Sequence, residues 1–255
     1  MSPRAWLIDL DGVVYRGNQP VPGAAAFVAW LQKTTQPYLF LTNHSARTPE
    51  SFAGKLQQMG IACAARDFLS SSIVTAEFLR RERLGKRVFA IGEEGLTRAL
   101  AEAAIETVEH QPDIVVVGFD RGIHYDLLVR ASRFILAGAE LIGTNADGSY
   151  PLEDGPAPEC GALLAAIEAA TERKPLVMGK PERFMYEEAL RRLGVTKEQA
   201  VMVGDRLDTD IAGANRLGIT NILVLSGATT PEQARQSPIK AGRVCADLGV
   251  CMEAD

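Results

Sequence analysis

The sequence lacks a run of apolar residues long enough to cross a membrane. A membrane-spanning helix needs about 18 or more consecutive apolar residues, and polar or charged residues interrupt every apolar stretch before that length. The N-terminal segment MSPRAWLIDLDGVVY contains one arginine and places two carboxylates in its apolar run. This pattern is unlike a secretory signal peptide. We therefore expect a protein that is neither inserted in a membrane nor exported.

A surplus of positive charge is also missing. The chain has 27 lysines and arginines against 32 aspartates and glutamates, which gives a formal net charge of −5. Proteins that bind nucleic acids or anionic membranes usually carry an excess of basic residues to neutralise phosphate groups. The composition therefore predicts no nucleic-acid partner and no membrane partner.

Cysteine is scarce and scattered along the chain. The four cysteines have no CxxC spacing and form no metal-ligand pattern with the three histidines. The cysteines therefore indicate neither a CxxC motif nor a zinc site. We therefore expect a location in the reducing cytoplasm.

What the sequence does contain is a regular alternation of short apolar runs and helical patterns. Residues 5–10 and 38–41 predict strands, residues 23–33 predict a helix between them, and a second helix is predicted from Pro49 onward. Further strands are predicted at 87–91, 113–117, 140–143, 175–178, 200–203 and 221–225. The alternation predicts an α/β protein with a Rossmann-like core, in which helices cover a mostly parallel sheet.

Polar side chains follow four of these predicted strands. In open parallel sheets, ligands bind beyond the carboxyl ends of the strands. Asp9 lies within the apolar run WLIDL, where an unpaired charge would be costly, so a metal or a cationic partner is expected. The residues at the strand ends are Asp9 and Asp11, Thr42 and Asn43, Lys180, and Asp205.

Each of these residues has an ordinary structural explanation when it is taken singly. A strand-end carboxylate or Lys180 can be a solvated charge, and Asp205 and Asp210 can be acids that favour the dipole of the next helix. The occurrence of all these groups at predicted strand ends, in this order, favours a functional site over coincidence.

Four segments, DLDGVVYRG, LTNHSART, MGKPERF and VGDRLDTDI, resemble the motifs of the haloacid dehalogenase superfamily of phosphohydrolases. VVVGFDRGIHYDLL and LIGTNADGSYPLEDG are similar to segments of one subgroup, which contains NagD, para-nitrophenyl phosphatases, phosphoglycolate phosphatase and pyridoxal phosphate phosphatase. The resemblance covers nearly the whole chain. It implies the haloacid dehalogenase fold and Mg²⁺-dependent hydrolysis of a small phosphorylated metabolite.

The resemblance also implies a role for each motif residue. Asp9 would attack phosphorus and form an aspartyl phosphate, and Asp11 would act as general acid and base. Thr42, Asn43 and Lys180 would bind the phosphate. The implied Mg²⁺ ligands are Asp9, the Asp11 carbonyl and Asp205. Asp210 would contact the groups around the ion and not the ion itself. Tyr150 would lie in the substrate-specificity loop of the subgroup, where packing is an alternative role for it.

The spacing of the motifs predicts an inserted domain. Asp11 and Thr42 are 31 positions apart, whereas Thr42 and Lys180 are 138 positions apart. We expect core segments at 1–80 and 174–255 and a smaller α/β domain at 81–173. The resemblance implies that this insertion is a C2-type cap, which excludes water and governs substrate choice, and some relatives form homodimers through it.

Two other functions are compatible with the same residues. A phosphotransferase or phosphomutase of the superfamily would share Asp9 and Asp11 but pass the phosphoryl group to a sugar. A noncatalytic sensor of a phosphorylated metabolite is an alternative from a different class, although retention of the complete residue set disfavours it. A dehalogenase is disfavoured because those enzymes lack the aspartate found here at position 11.

Overall fold

A computed structural model describes residues 4–152 and 155–251 of the chain. The strands in this part are, in chain order, β1 (Ala5–Asp9), β2 (Tyr15–Arg16), β3 (Gln19–Pro20), β4 (Tyr38–Thr42), β5 (Phe68–Ser70), β6 (Val88–Ile91), β7 (Ile114–Val117), β8 (Glu140–Gly143), β9 (Ser149–Leu152), β10 (Gly155–Pro158), β11 (Leu176–Val177), β12 (Ala200–Gly204), β13 (Thr220–Val224) and β14 (Arg243–Cys245).

Helices separate most of these strands. They are α1 (Ala24–Lys33), α2 (Pro49–Gln58), α3 (Ser71–Glu82), α4 (Glu94–Glu102), α5 (Tyr125–Leu136), α6 (Cys160–Thr171), α7 (Arg183–Leu193), α8 (Ala212–Leu217), α9 (Pro231–Gln236) and α10 (Leu248–Cys251). Among the described residues, no helix combines the length and the apolar character that crossing a bilayer requires.

The chain folds into two compact units. The first unit is built from three stretches, Met1–Thr42, Pro49–Leu69 and Lys180–Asp255, and the second from Asn43–Thr48 and Ser70–Gly179. The predicted insertion at 81–173 lies inside the second unit, and its role as a cap stays a prediction.

The first unit contains a six-stranded sheet with the order β14-β13-β12-β1-β4-β5. Strand β1 lies inside the sheet and pairs in parallel with β12 on one side and with β4 on the other. The chain runs from β1 toward β4 and β5, and later returns to add β12, β13 and β14 on the opposite side of β1. The strand order thus reverses at β1, which is the position where open α/β sheets bind ligands.

Burial of apolar side chains holds the first unit together. All five residues of β1 are buried. The ring of Trp6 packs edge-on against Phe27 of α1, with ring centroids 5.1 Å apart, and Trp30 lies against both. Such aromatic pairs add to the stabilisation that comes from burial alone. The strand that ends at Asp9 is therefore a rigid support for that residue.

The second unit has its own parallel sheet, with the order β11-β8-β7-β6. Its core is formed by buried apolar residues of the strands and of the packed helices α5 and α6, including Phe89, Val115, Ile135 and Leu164. Strands β9 and β10 form a separate antiparallel pair. This arrangement is that of a small α/β domain.

The predicted α/β class and the mostly parallel sheets are confirmed, and each predicted strand is present with neither end shifted by more than one residue. The three-residue strands β5 and β14 and the short pairs β2–β3 and β9–β10 were not predicted. Strands of two or three residues are too short to show an alternating pattern, and Pro151 and Gly155 weaken the strand signal of β9 and β10. Strand β11, which precedes Lys180, belongs to the sheet of the second unit.

Candidate active site

The first candidate residues lie at the carboxyl end of β1. Asp9 is the last residue of this strand and is buried, whereas Asp11, two residues later, is exposed. The backbone turns sharply at Gly12, which has a φ of +84°. A side chain at this position would be strained and would also collide with the carboxylate of Asp205. Glycine therefore allows the turn and the close approach of the Asp205 loop.

Lys180 connects two of the buried carboxylates. Its Nζ donates hydrogen bonds to Oδ1 of Asp9 at 2.5 Å and to Oδ1 of Asp210 at 2.6 Å. Burial by itself lowers the pKa of Lys180, but the charges of Asp210 and Asp9 outweigh this effect and hold the pKa above its ordinary value. The lysine is therefore an ammonium ion inside the protein.

Asp9 lies in an electrostatically demanding position. Burial raises its pKa well above the ordinary value, Lys180 opposes this increase, and the charges of Asp210 and Asp205 add to it. One ammonium group thus faces three nearby carboxyl groups. Ionisation of all three carboxyl groups is favoured by further positive charge at the site.

Asp205 and Asp210 follow β12. Oδ2 of Asp205 accepts a hydrogen bond from the backbone N of Ala228 at 2.6 Å. Oδ1 of Asp205 is buried and has no hydrogen-bond partner among the described residues. Burial, together with the charge of Asp210, raises the pKa of Asp205 to about 6. Such a buried oxygen can serve as a ligand to a cation.

The position of Asp210 depends on an unusual turn. Residues Leu207–Ile211 form a π-helical turn before α8, a feature found frequently at functional sites. Oδ2 of Asp210 accepts a hydrogen bond from the backbone N of Arg206 at 3.1 Å. Since Oδ1 binds Lys180, both oxygens of this carboxylate have protein donors.

The carboxylates of Asp9, Asp205 and Asp210 form a cluster that could hold a divalent cation. Each offers an oxygen within 4.8 Å of an oxygen of the others. Hard divalent cations prefer such oxygen ligands. The oxygen of Asp205 without a hydrogen-bond partner and the excess of negative charge over Lys180 both fit this kind of occupant. The Asp11 carbonyl, the other predicted ligand, lies two residues beyond Asp9.

Thr42 and Asn43 follow the strand next to β1. Thr42 is buried and ends β4, whose Leu41 lies opposite Asp9 in the parallel register. Asn43 begins the part of the chain assigned to the second unit. Its carbonyl oxygen accepts hydrogen bonds from Oγ of Ser71 and Nδ2 of Asn145. The peptide group between Asn43 and His44 is therefore held in one orientation.

Tyr150 lies in β9 of the second unit. Its ring packs edge-on against Phe119, with centroids 5.0 Å apart, and Phe119 packs against His44 at 5.8 Å. These contacts link the predicted specificity residue to the loop that contains Asn43.

Sequence reasoning missed two contacts in the first unit. Lys180 was predicted to bind phosphate, but its hydrogen bond to Asp210, which is about as short as the one to Asp9, was not predicted. The hydroxyl group of Tyr15 donates a hydrogen bond to Oδ2 of Asp11 at 3.0 Å. Tyr15 is part of the segment DLDGVVYRG, but nothing in a single sequence separates this tyrosine from an ordinary core residue.

Residues 6–106 match the family described as haloacid dehalogenase-like hydrolase, and residues 177–251 match a second family of the same kind. The acid sugar phosphatase of Staphylococcus saprophyticus is 37% identical over 246 residues, which cover 96% of this chain and 95% of that protein. The chain belongs to the haloacid dehalogenase-like hydrolases. This confirms the family that the motifs indicated.

Solved structures of this hydrolase family agree with that assignment. NagD from Escherichia coli has a TM-score of 0.93 and 33% identity, and the match covers 98% of both chains. The 4-nitrophenylphosphatase from Thermotoga maritima has a TM-score of 0.94 and 33% identity, with 99% of this chain and 97% of that chain covered. The predicted fold, NagD-like subgroup and enzyme class, a phosphoric monoester hydrolase, are confirmed.

The acidic cluster predicts a measurable affinity for divalent cations. We expect Asp205→Asn to lower the affinity for magnesium or manganese by at least about tenfold, because the substitution removes the negative charge of a buried carboxylate that a cation would contact. Isothermal titration calorimetry of the folded variant, without substrate, measures this change. Asp208→Asn is the matched control, since Asp208 lies in the same loop but is exposed and paired with Arg206. Equal affinity in the wild type and Asp205→Asn would contradict the assignment.

Proposed function

We propose that this chain is an Mg²⁺-dependent phosphatase that hydrolyses small phosphate monoesters through an aspartyl phosphate on Asp9. The observation that carries the proposal is the buried carboxylate of Asp9, held by the ammonium group of Lys180 within a three-carboxylate cluster. The position at the switch point of the parallel sheet supports it.

Asp9 is the nucleophile in this proposal. Its carboxylate attacks phosphorus as the bond to the leaving oxygen breaks, and water then hydrolyses the acyl phosphate, so that one difficult displacement becomes two easier ones. The nucleophile must be ionised, although burial favours its protonated form. The ammonium group of Lys180 stabilises the ionised form through a direct hydrogen bond.

Asp11 is the general acid and base. Its carboxyl group gives a proton to the leaving oxygen in the first displacement and takes a proton from water in the second. Its exposure and its place two residues after the nucleophile suit exchange of protons with a substrate or with solvent.

Thr42, the backbone of Asn43 and Lys180 bind the phosphoryl oxygens. Thr42 ends the strand beside the nucleophile, and the hydrogen bonds from Ser71 and Asn145 hold the carbonyl group of Asn43, which restrains the backbone just after it. Preorganised donors stabilise charge that develops on transferring oxygens. Lys180 adds a full positive charge close to Asp9.

The carboxylates of Asp9 and Asp205 and the carbonyl of Asp11 would hold Mg²⁺. When bound, the cation neutralises phosphoryl charge and the surplus of carboxylates. Asp210 acts indirectly, because both of its oxygens accept hydrogen bonds from Lys180 and from the backbone at Arg206. It fixes the direction of the Lys180 ammonium group.

The substrates we infer are small phosphate monoesters, with sugar phosphates first among them and para-nitrophenyl phosphate as a convenient synthetic substrate. An acid sugar phosphatase and a 4-nitrophenylphosphatase match this chain over nearly its whole length. Phosphoglycolate and nucleotide phosphates belong to the same chemical class. We further infer a cytoplasmic protein, consistent with four cysteines that are all described and all free of disulfides.

Asp9→Asn tests the nucleophile. We expect turnover of para-nitrophenyl phosphate with magnesium to fall by on the order of 10⁴-fold or more, because an amide cannot form the acyl phosphate. Rapid acid quench with ³²P-labelled substrate should trap a phosphoenzyme in the wild type but not in the variant.

Asp208→Asn is the control, since it removes a nearby exposed carboxylate and should leave both readouts unchanged. Full activity in Asp9→Asn would overturn the nucleophile assignment. Recovery of the label in a phosphorylated sugar instead of inorganic phosphate would identify a phosphotransferase. Tight binding of a metabolite phosphate without turnover in the wild type would identify a sensor.

Tyr150 selects among substrates in this proposal. We expect Tyr150→Ala to change the relative kcat/KM across a panel of sugar and nucleotide phosphates by about tenfold. Formation and hydrolysis of the aspartyl phosphate should not depend on Tyr150. Tyr150→Phe separates two roles, because it keeps the ring contact with Phe119 and removes the hydroxyl group. Preferences unchanged in both variants would show that Tyr150 does not contact substrates.

We also infer that the second unit forms a homodimer. Helix α5 exposes Tyr125 and Leu136, which are 78% and 63% accessible. They are three helical turns apart and so lie on the same side of the helix. Two large apolar side chains exposed on one side of a helix offer a surface on which a second copy of the chain would pack.

Sedimentation velocity tests this surface. The wild type should sediment as a dimer, and the double variant Tyr125→Glu with Leu136→Glu should sediment as a monomer, because two buried charges would oppose association. Leu84→Glu is the control, since Leu84 is exposed but lies outside α5. A monomeric wild type at all concentrations tested would exclude the dimer.

A further inference from the structure

Tyr15 places its hydroxyl group on the exposed carboxylate of Asp11. The phenol donates to Oδ2 of Asp11 at 3.0 Å. The residue itself is 1% accessible and belongs to the main hydrophobic core of the first unit. A buried ring therefore extends its one polar atom to a carboxylate at the surface of the unit.

The backbone of the turn fixes the start of this side chain. Asp11 and Tyr15 form a β-bridge, and the backbone N of Gly12 donates to the carbonyl of Tyr15 at 2.7 Å. The carbonyl of Gly12 in turn accepts a hydrogen bond from Oγ of Ser226 at 2.7 Å. Hydrogen bonds thus close the turn and connect it to the loop after β13.

The ring is held from its face as well. Nζ of Lys55, in α2, lies 3.6 Å from the centroid of the Tyr15 ring. A cation over an aromatic face attracts the ring. Core packing, the hydrogen-bonded turn and the contact with Lys55 restrict the Tyr15 side chain. Its hydroxyl group is therefore held next to Asp11.

We propose that Tyr15 is a positioning residue for Asp11, an inference that rests on the acid and base role proposed for Asp11 above. In the first displacement, the proton of the Asp11 carboxyl passes to the leaving oxygen as the bond between phosphorus and that oxygen breaks. The carboxylate that remains keeps the hydrogen bond from the phenol. By holding Oδ2, this hydrogen bond restricts the rotation of the Asp11 side chain and keeps the carboxyl group in one orientation for the transfer.

Tyr15→Phe is the direct test, because it keeps the ring and its packing and removes only the hydroxyl group. We expect kcat/KM for a sugar phosphate to fall by about tenfold or more, since a hydrogen bond to a charged group is lost. The loss for para-nitrophenyl phosphate should be several times smaller, because its leaving group departs without a proton. KM should change by less than about twofold.

The ratio of the two substrates distinguishes positioning from misfolding. A smaller folded fraction would lower both activities equally, whereas the proposed role lowers them unequally. Tyr38→Phe is the matched control, since the hydroxyl of Tyr38 also bonds a carboxylate of the first unit, that of Asp67 at 3.3 Å, away from Asp11. We expect it to leave the ratio unchanged.

A double-mutant cycle with Asp11→Ala completes the experiment. If Tyr15 acts through Asp11, adding Tyr15→Phe to Asp11→Ala will change kcat/KM by less than about twofold. Effects that multiply independently, or equal losses on both substrates, would overturn the role of Tyr15 while leaving Asp11 in place. If Asp11→Ala itself retains full activity on the sugar phosphate, it is the proposed function of Asp11 that fails.

Discussion

The hydrogen bonds from Lys180 to two buried carboxylates are the contact on which the rest of the candidate site depends. A buried ammonium group has lost its hydration, and neighbouring carboxylates compensate for that loss. Buried carboxylates likewise need a neighbouring positive charge to stay ionised. Asp9, Lys180 and Asp210 satisfy each other in this arrangement. The three chain segments that carry these residues must therefore meet at one point, and the fold of the first unit brings them together.

Close backbone approaches make this meeting possible. Side chains at Gly12 or Gly227 would collide with the Asp205 carboxylate, and one at Gly204 would collide with Asp210. The loops that carry the acids are therefore packed around them without space for a Cβ atom. The charge that results is uneven, since one lysine faces three carboxyl groups. Burial raises the pKa values of Asp9 and Asp205, and a divalent cation bound there would offer the positive charge that protons otherwise supply.

Much of this could be predicted from local sequence patterns. The alternation of apolar runs predicted the parallel α/β fold, and contiguous motifs placed Asp9, Thr42 and Asp205 at strand ends. These patterns are local because strand alternation and turn residues act over a few positions. The motifs also carried the family resemblance, which the related proteins confirm. Strands β2, β3, β5 and β14 were not predicted, because two or three residues show no alternating pattern, and Pro151 and Gly155 weaken the strand signal of β9 and β10.

Sequence by itself determined the kind of chemistry, since the residue types in the motifs are those needed for phosphoryl transfer and for holding a hard cation. Only the tertiary structure decided which groups touch. It assigned β11 to the sheet of the second unit, directed the Lys180 ammonium group to Asp210 as well as Asp9, and set the Tyr15 hydroxyl on Asp11. The physical reason is that these contacts depend on side-chain directions set by long-range packing, which local propensities do not encode.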